Sequence, residues 1–145
     1  MRTKTRTTKW AGSLTAFLCL SLTALGAHAN SPLDEWKSGL SGALLTAYSG
    51  SVISSNSSLT TLRLCRDGRF QLDREGSWNA GGAAMGANQS RITGRWNVIE
   101  SAGRIVVTYT TDTGDQGGYP VWLQNDGKVN LGGVAYAAQR GGAGC

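Results

Sequence analysis

Asp73 and Glu75 stand two apart in an alternating stretch, and Asp112 and Asp115 flank a Thr-Gly turn. Paired carboxylates are what general acid–base and glycoside-cleaving chemistry requires, provided the two face each other across a cleft. A plainer reading fits both pairs better. Residues i and i+2 of a strand share one solvated face, and Asp-Thr-Gly-Asp is ordinary turn chemistry. That turn also offers oxygen ligands to calcium, but it lacks the carboxylate density of an EF-hand loop. The only histidine, His28, lies in a segment marked for removal, which leaves no imidazole base for Ser-His-Asp or Cys-His catalysis. The usual zinc ligand sets, built on His or on several Cys, are excluded with it. The glycine clusters at 81–86, 132–133 and 141–144 are not followed by the helix and lysine of a phosphate loop. The expectation is a non-enzymatic protein with no cofactor and no resident metal.

The marked segment is N-terminal. Arg2, Lys4, Arg6 and Lys9 come without an acid, residues 10–25 are apolar or small, and Ala27-His28-Ala29 precedes Asn30. This is the charged, apolar and small-residue order of a secretory signal, with cleavage expected after Ala29. The apolar run is shorter than the ~20 residues of a membrane span. Leu18 before Cys19 argues against lipidation, and no twin-arginine pair is present. A periplasmic or secreted location follows as an expectation. Of 14 basic residues four leave with the signal, so ten face nine acids and the net charge falls from +5 to +1. The ten are scattered from Lys37 to Arg140, which excludes the clustered basic face of a nucleic-acid binder. Two cysteines remain, Cys65 and Cys145. In an oxidising compartment they read first as an intramolecular disulfide, with intermolecular pairing through Cys145 or two free thiols as the alternatives.

The elements that must position these residues are legible from pattern. Ser31 as N-cap, Pro32 at the first helical position and Asp34 and Glu35 in the first turn start a short helix. Gly39 and Gly42 are expected to stop it early, and Leu33, Trp36 and Leu40 share one face. From there the period changes to two. Leu62 and Leu64 lead through Asp67-Gly68 to Phe70 and Leu72, and Trp96 and Val98 lead through Ser101-Ala102-Gly103 to Ile105 and Val107. Tyr119 and Val121 lead through Asn125-Asp126-Gly127 to Val129 and Leu131, and Gly132-Gly133 precedes a last strand through Tyr136. With a strand begun at Ala43 the count is about eight. Short connections favour an all-β antiparallel meander that closes as a barrel, with a two-sheet sandwich as the alternative. The domain plan is a signal over 1–29, a short helix or linker over 30–41 and the barrel over 42–145. Residues 79–89 read as a mobile loop or a frayed hairpin tip.

Phe70, Trp96, Tyr109, Tyr119 and Tyr136 all fall on the inward phase. Most are expected to be core, since eight strands can be filled by side chains alone. If the barrel is hollow, Trp96, Tyr109, Tyr119 and Tyr136 line it, with Trp78 at the rim. Trp122 has the opposite phase and faces outward. Two uses suit it equally: a partner contact together with Arg95, or burial under the N-terminal helix through Trp36.

Leu62-Arg63-Leu64-Cys65-Arg66-Asp67-Gly68-Arg69-Phe70, followed by Gly94-Arg95-Trp96 and alternating strands with glycine turns, resembles small lipocalin-like, calycin-type β-barrel domains of bacterial exported proteins. The likeness covers most of residues 42–138. It implies a barrel of the class that includes small-ligand carriers and small exported enzyme inhibitors. No functional residues carry over, since the first strand reads Gly42-Ala43-Leu44-Leu45 where lipocalins place Gly-x-Trp. The expected function is binding of a small apolar or amphipathic ligand in the barrel mouth. The alternative is a protein-interaction module, such as an inhibitor of an extracellular hydrolase or an envelope-assembly component.

Overall fold

The computed structural model describes residues 30–50, 56–79 and 85–145, with 78–79 and 85–87 as backbone only. The export signal read over 1–29 lies outside them. Helix α1 (Pro32–Leu40) begins as its sequence dictates: the Ser31 hydroxyl accepts from the Asp34 N–H at 3.2 Å, and Pro32 occupies the first turn. Gly39 does not end it. The helix runs one residue further, to Leu40, and the Ser41 N–H closes it on the Lys37 carbonyl at 3.1 Å. Leu40 is buried, and Leu33 and Trp36 pack with it on the core, where α1 lies against two strands of the barrel.

Those strands belong to a set of eight: β1 (Ala43–Gly50), β2 (Ser57–Leu64), β3 (Arg69–Asn79), β4 (Met85–Ser101), β5 (Arg104–Thr111), β6 (Gln116–Leu123), β7 (Val129–Leu131) and β8 (Val134–Gln139). Each pairs antiparallel with the next. β8 returns to β1 through Leu44–Gln139, Leu45–Ala138 and Thr46–Ala137, so the meander closes as a barrel rather than opening into a sandwich. Residues 85–89 are strand, not loop. Their glycine and alanine carry little strand propensity of their own, and pairing with β3 from Asn79–Met85 down to Arg69–Arg95 supplies the order instead.

β4 is the longest strand because it serves two neighbours in turn. Its first part, down to Arg95, pairs with β3, and its second, from Gly94 on, pairs with β5. The change falls at Gly94, which is buried beneath Phe70 and pressed against the backbone of Thr110 and Thr111. The registers also fix the girth of the barrel. A line perpendicular to the strands runs from Ala43 to Leu64, Phe70, Gly94 and Thr111. Continued through β6, β7 and β8, it rejoins β1 about twelve residues beyond its start. Eight strands with that stagger tilt more and enclose a wider ring than the shear-eight barrels whose interiors are filled by side chains.

The core occupies the end that α1 covers. Leu45, Leu64, Phe70, Val98, Val107 and Val121 are buried there, on the phase expected from alternation. The Trp96 indole N–H donates to the Cys65 carbonyl at 3.0 Å and ties β4 to the turn after β2. Cys65 and Cys145 are joined by a disulfide, with Cα atoms 5.1 Å apart. It holds the C-terminal tail, whose Ala143 is buried and donates its N–H to the Gly42 carbonyl at 3.1 Å.

Candidate functional site

Above this core the interior empties. A cavity of about 450 Å³ runs up from Leu62, Leu64 and Phe70 to Arg74, Tyr119 and Tyr136. Ile92, Tyr119 and Val134 line it and remain 37%, 46% and 47% exposed, so the apolar wall is open to solvent at the mouth. A separate hollow of about 690 Å³ beside Arg95, Asn97 and Thr108 is a shallow, open groove, and its walls mix polar and apolar groups. The interior cavity is the better candidate because it is the one enclosed by apolar side chains with a few polar groups at one end.

The strand registers set the character of the wall. The row Leu45, Leu62, Leu72 and Ile92 is apolar. One step toward the mouth the row is Ala47, Thr60, Arg74 and Ser90, and the next is Ser49, Ser58, Gly76 and Asn88. Across the cavity, two tyrosines are laid down over glycines. Tyr109 lies over Gly117, where an added Cβ would come within 2.7 Å of its ring, and Tyr119 lies over Gly132, where it would come within 2.5 Å. The two rings stack on each other at 5.7 Å, and Phe70 meets Tyr109 edge-on at 6.2 Å. The Tyr109 phenol is held above the ordinary tyrosine range, chiefly by its hydrogen bond with the Tyr119 phenol. The Tyr136 phenol is also raised, first by burial, against which the positive charge of Arg74 acts in the opposite direction. Both stay protonated donors at neutral pH.

Of the aromatics singled out from sequence, Trp96, Tyr109, Tyr119 and Tyr136 come together on this cavity. Trp96 contributes only its ring, since its N–H is committed to Cys65. The Trp78 backbone pairs with Gly86 near the mouth end of β3, and its side chain lies outside the described residues. Trp122 faces outward and is 44% exposed, as its phase requires. Its pairing with Arg95 does not hold. Arg95 is level with Thr110 and Gln116, whereas Trp122 lies six residues further along β6, about 20 Å at the rise of a strand. Its cross-strand partner is Asn130, and two residues back along β6 begins the row Pro120, Val106 and Ile99.

The carboxylates of both pairs are engaged by neighbouring side chains. Asp73 faces outward and accepts from Gln71 and from Arg91, each at 2.6 Å, while Glu75 accepts from Gln89. Asp112 accepts from the Thr93 hydroxyl, and Asp115 accepts from Thr113 at 3.0 Å, the turn chemistry expected. The Asp73 carboxyl is held below the usual range first by Gln71 and then by Arg91. A depressed carboxylate stabilises the fold above its unfolded value of about 3.9 and loses that contribution as pH falls through the folded value. Below about pH 4, denaturant melts should therefore show Asp73→Asn losing less stability than the parent. Because Arg91 is largely exposed, the difference is expected to be small.

Arg74 is the residue that sequence reasoning passed over. The signal was present, since it follows Phe70 and Leu72 in the inward phase, where a charge is out of place. Comparison with family models, curated proteins and solved structures finds no match to this chain, so its function must be read from the cavity itself.

Proposed function

We propose that this protein is an exported, non-enzymatic carrier that holds one small apolar or amphipathic ligand inside its barrel. The observation that supports the reading is an open cavity of about 450 Å³ whose floor is apolar and whose tyrosines are fixed in place by glycines opposite them. Its size falls at the lower end of small-molecule sites, ~300–1,000 Å³. Burying an alkyl chain there gains roughly 0.8 kcal/mol per methylene, so a chain of eight to ten methylenes contributes about 6–8 kcal/mol before association costs. The expected location is periplasmic or extracellular, in keeping with the N-terminal signal and the disulfide.

The test is titration of the purified protein with N-phenyl-1-naphthylamine, a probe that fluoresces in apolar surroundings. One equivalent should bind the parent. Ile92→Trp puts an indole into the open part of the cavity and should weaken binding at least about tenfold, or 1.4 kcal/mol, with the circular dichroism spectrum unchanged. No uptake by the parent, or equal uptake by the filled variant, would remove the carrier reading. The patch formed by Ile99, Val106, Pro120 and Trp122 favours a second reading, a protein-interaction module. Loss of partner capture in Trp122→Ala, with probe binding intact, is the result that would support it.

A further inference from the structure

Resting on the carrier reading, we propose that the ligand is an amphiphile with an anionic head, its head bound by Arg74 beside Tyr136 and its chain lying on the apolar rows below.

The wall changes character once along the barrel axis. Leu45, Leu62, Leu72 and Ile92 form its apolar row, and the two rows above are small and polar, with Arg74 their only charged member. Arg74 is exposed at the mouth end of this wall, so its guanidinium is solvated yet in reach of the cavity, and it is free to pair with an anion unless a carboxylate of the protein meets it first. None does so among the described residues. Among the described residues Arg74 makes no ion pair and no side-chain hydrogen bond. Arg63 and Arg104 are likewise exposed and without an ion pair among the described residues, but they do not line the cavity. Arg74 differs in lining the cavity.

The surroundings of the guanidinium leave it accessible. Its cross-strand partners are Thr60 and Ser90, and Gly76 follows on its own strand, so small groups surround a fork of five donors. The acid across the mouth, Asp115, is engaged elsewhere: it accepts from the Thr113 and Thr111 hydroxyls at 3.0 and 3.4 Å. The Tyr136 phenol is close enough to Arg74 to feel its charge. A planar fork with a phenol donor beside it suits a carboxylate or a phosphate monoester, which an arginine binds bidentately. At ~30 Å³ per water-sized group, the cavity of about 450 Å³ holds roughly fifteen non-hydrogen atoms, the size of a medium-length acyl chain with its head.

Four amphiphiles of one chain length separate the contributions: dodecanoate, dodecyl phosphate, dodecanol and dodecylamine, each displacing N-phenyl-1-naphthylamine from the full protein. At least one of the anions should bind about tenfold or more tighter than the alcohol, and which one leads tells a carboxylate head from a phosphate head. Arg74→Gln should bring that anion to within about twofold of the alcohol while probe affinity is kept, and Arg74→Lys should retain part of the preference. Equal binding of alcohol and anions, tighter binding of the amine, or a preference that survives Arg74→Gln overturns the anionic head and leaves the carrier reading standing. If neither probe nor amphiphile binds, the carrier reading fails and takes the head group with it.

Discussion

Alanine at position 94 is expected to destabilise the barrel by about 3 kcal/mol, the upper part of the usual range for overpacking. That corresponds to a fall of roughly 10–15 °C in Tm for a chain of this size. The added methyl would sit against the Thr110 carbonyl, 2.7 Å from the Thr111 Cα and 2.8 Å from Phe70 Cε1. Two of these three atoms are backbone, so no rotamer change makes room. The strand must move, and it is here that β4 passes from β3 to β5. Gly76→Ala is the control, because the nearest atom to its Cβ is the Ser57 carbonyl oxygen at 3.8 Å, an ordinary contact. Thermal melts of the two variants should differ by most of the predicted drop. If Gly94→Ala melts with the parent, the close approach of β4 and β5 is not a feature of the folded protein.

Replacing both Cys65 and Cys145 by alanine should cost about 4 kcal/mol, the chain-entropy value for a cross-link spanning some 80 residues. The mechanism acts mainly on the unfolded chain, which without the link gains all the freedom of a loop that includes β3 to β8. A smaller native contribution comes from the tail. Ala143 is buried against the barrel two residues from the bridge, so its hydrogen bond to Gly42 should fray on reduction. Urea melts of the parent with and without reductant, beside the double variant, measure this directly. The reduced parent and the variant should coincide. A reduced parent as stable as the oxidised one would mean that the cross-link contributes no net stabilisation.

How much of this was readable in the sequence follows the range of the interactions. The helix start at Ser31-Pro32, the turn at Asp67-Gly68 and the two-residue turn at Gly132-Gly133 are local, and each forms where its residues demand. Tyr109, Tyr119 and Tyr136 were placed inward from alternation alone and do line the cavity. What could not be read depends on register between strands. Residues 85–89 are glycine-containing and polar, and they become strand only because β3 templates them. Trp122 and Arg95 have compatible phases, yet nothing in the chain says that they sit at different heights. The hollow interior comes from the accumulated stagger of eight ladders, which no single segment encodes. Arg74 lies between these cases: its phase was visible, but its meaning needed the neighbours Thr60 and Ser90.

The pairing of β1 with β8 has a kinetic consequence. Every other ladder joins strands adjacent in the chain and can form as a hairpin, whereas these three residue pairs bring together segments more than ninety residues apart. Closing so long a loop contributes heavily to contact order, and this seam should be the last to form during folding. It should also be the first to open, so the amides of Leu44–Thr46 and Ala137–Gln139 are expected to exchange with deuterium ahead of the β3–β4 ladder. An oxidised cross-link at the same end of the molecule shortens the path between the two strands before they meet. Oxidation before folding should therefore accelerate ring closure as well as stabilise its product.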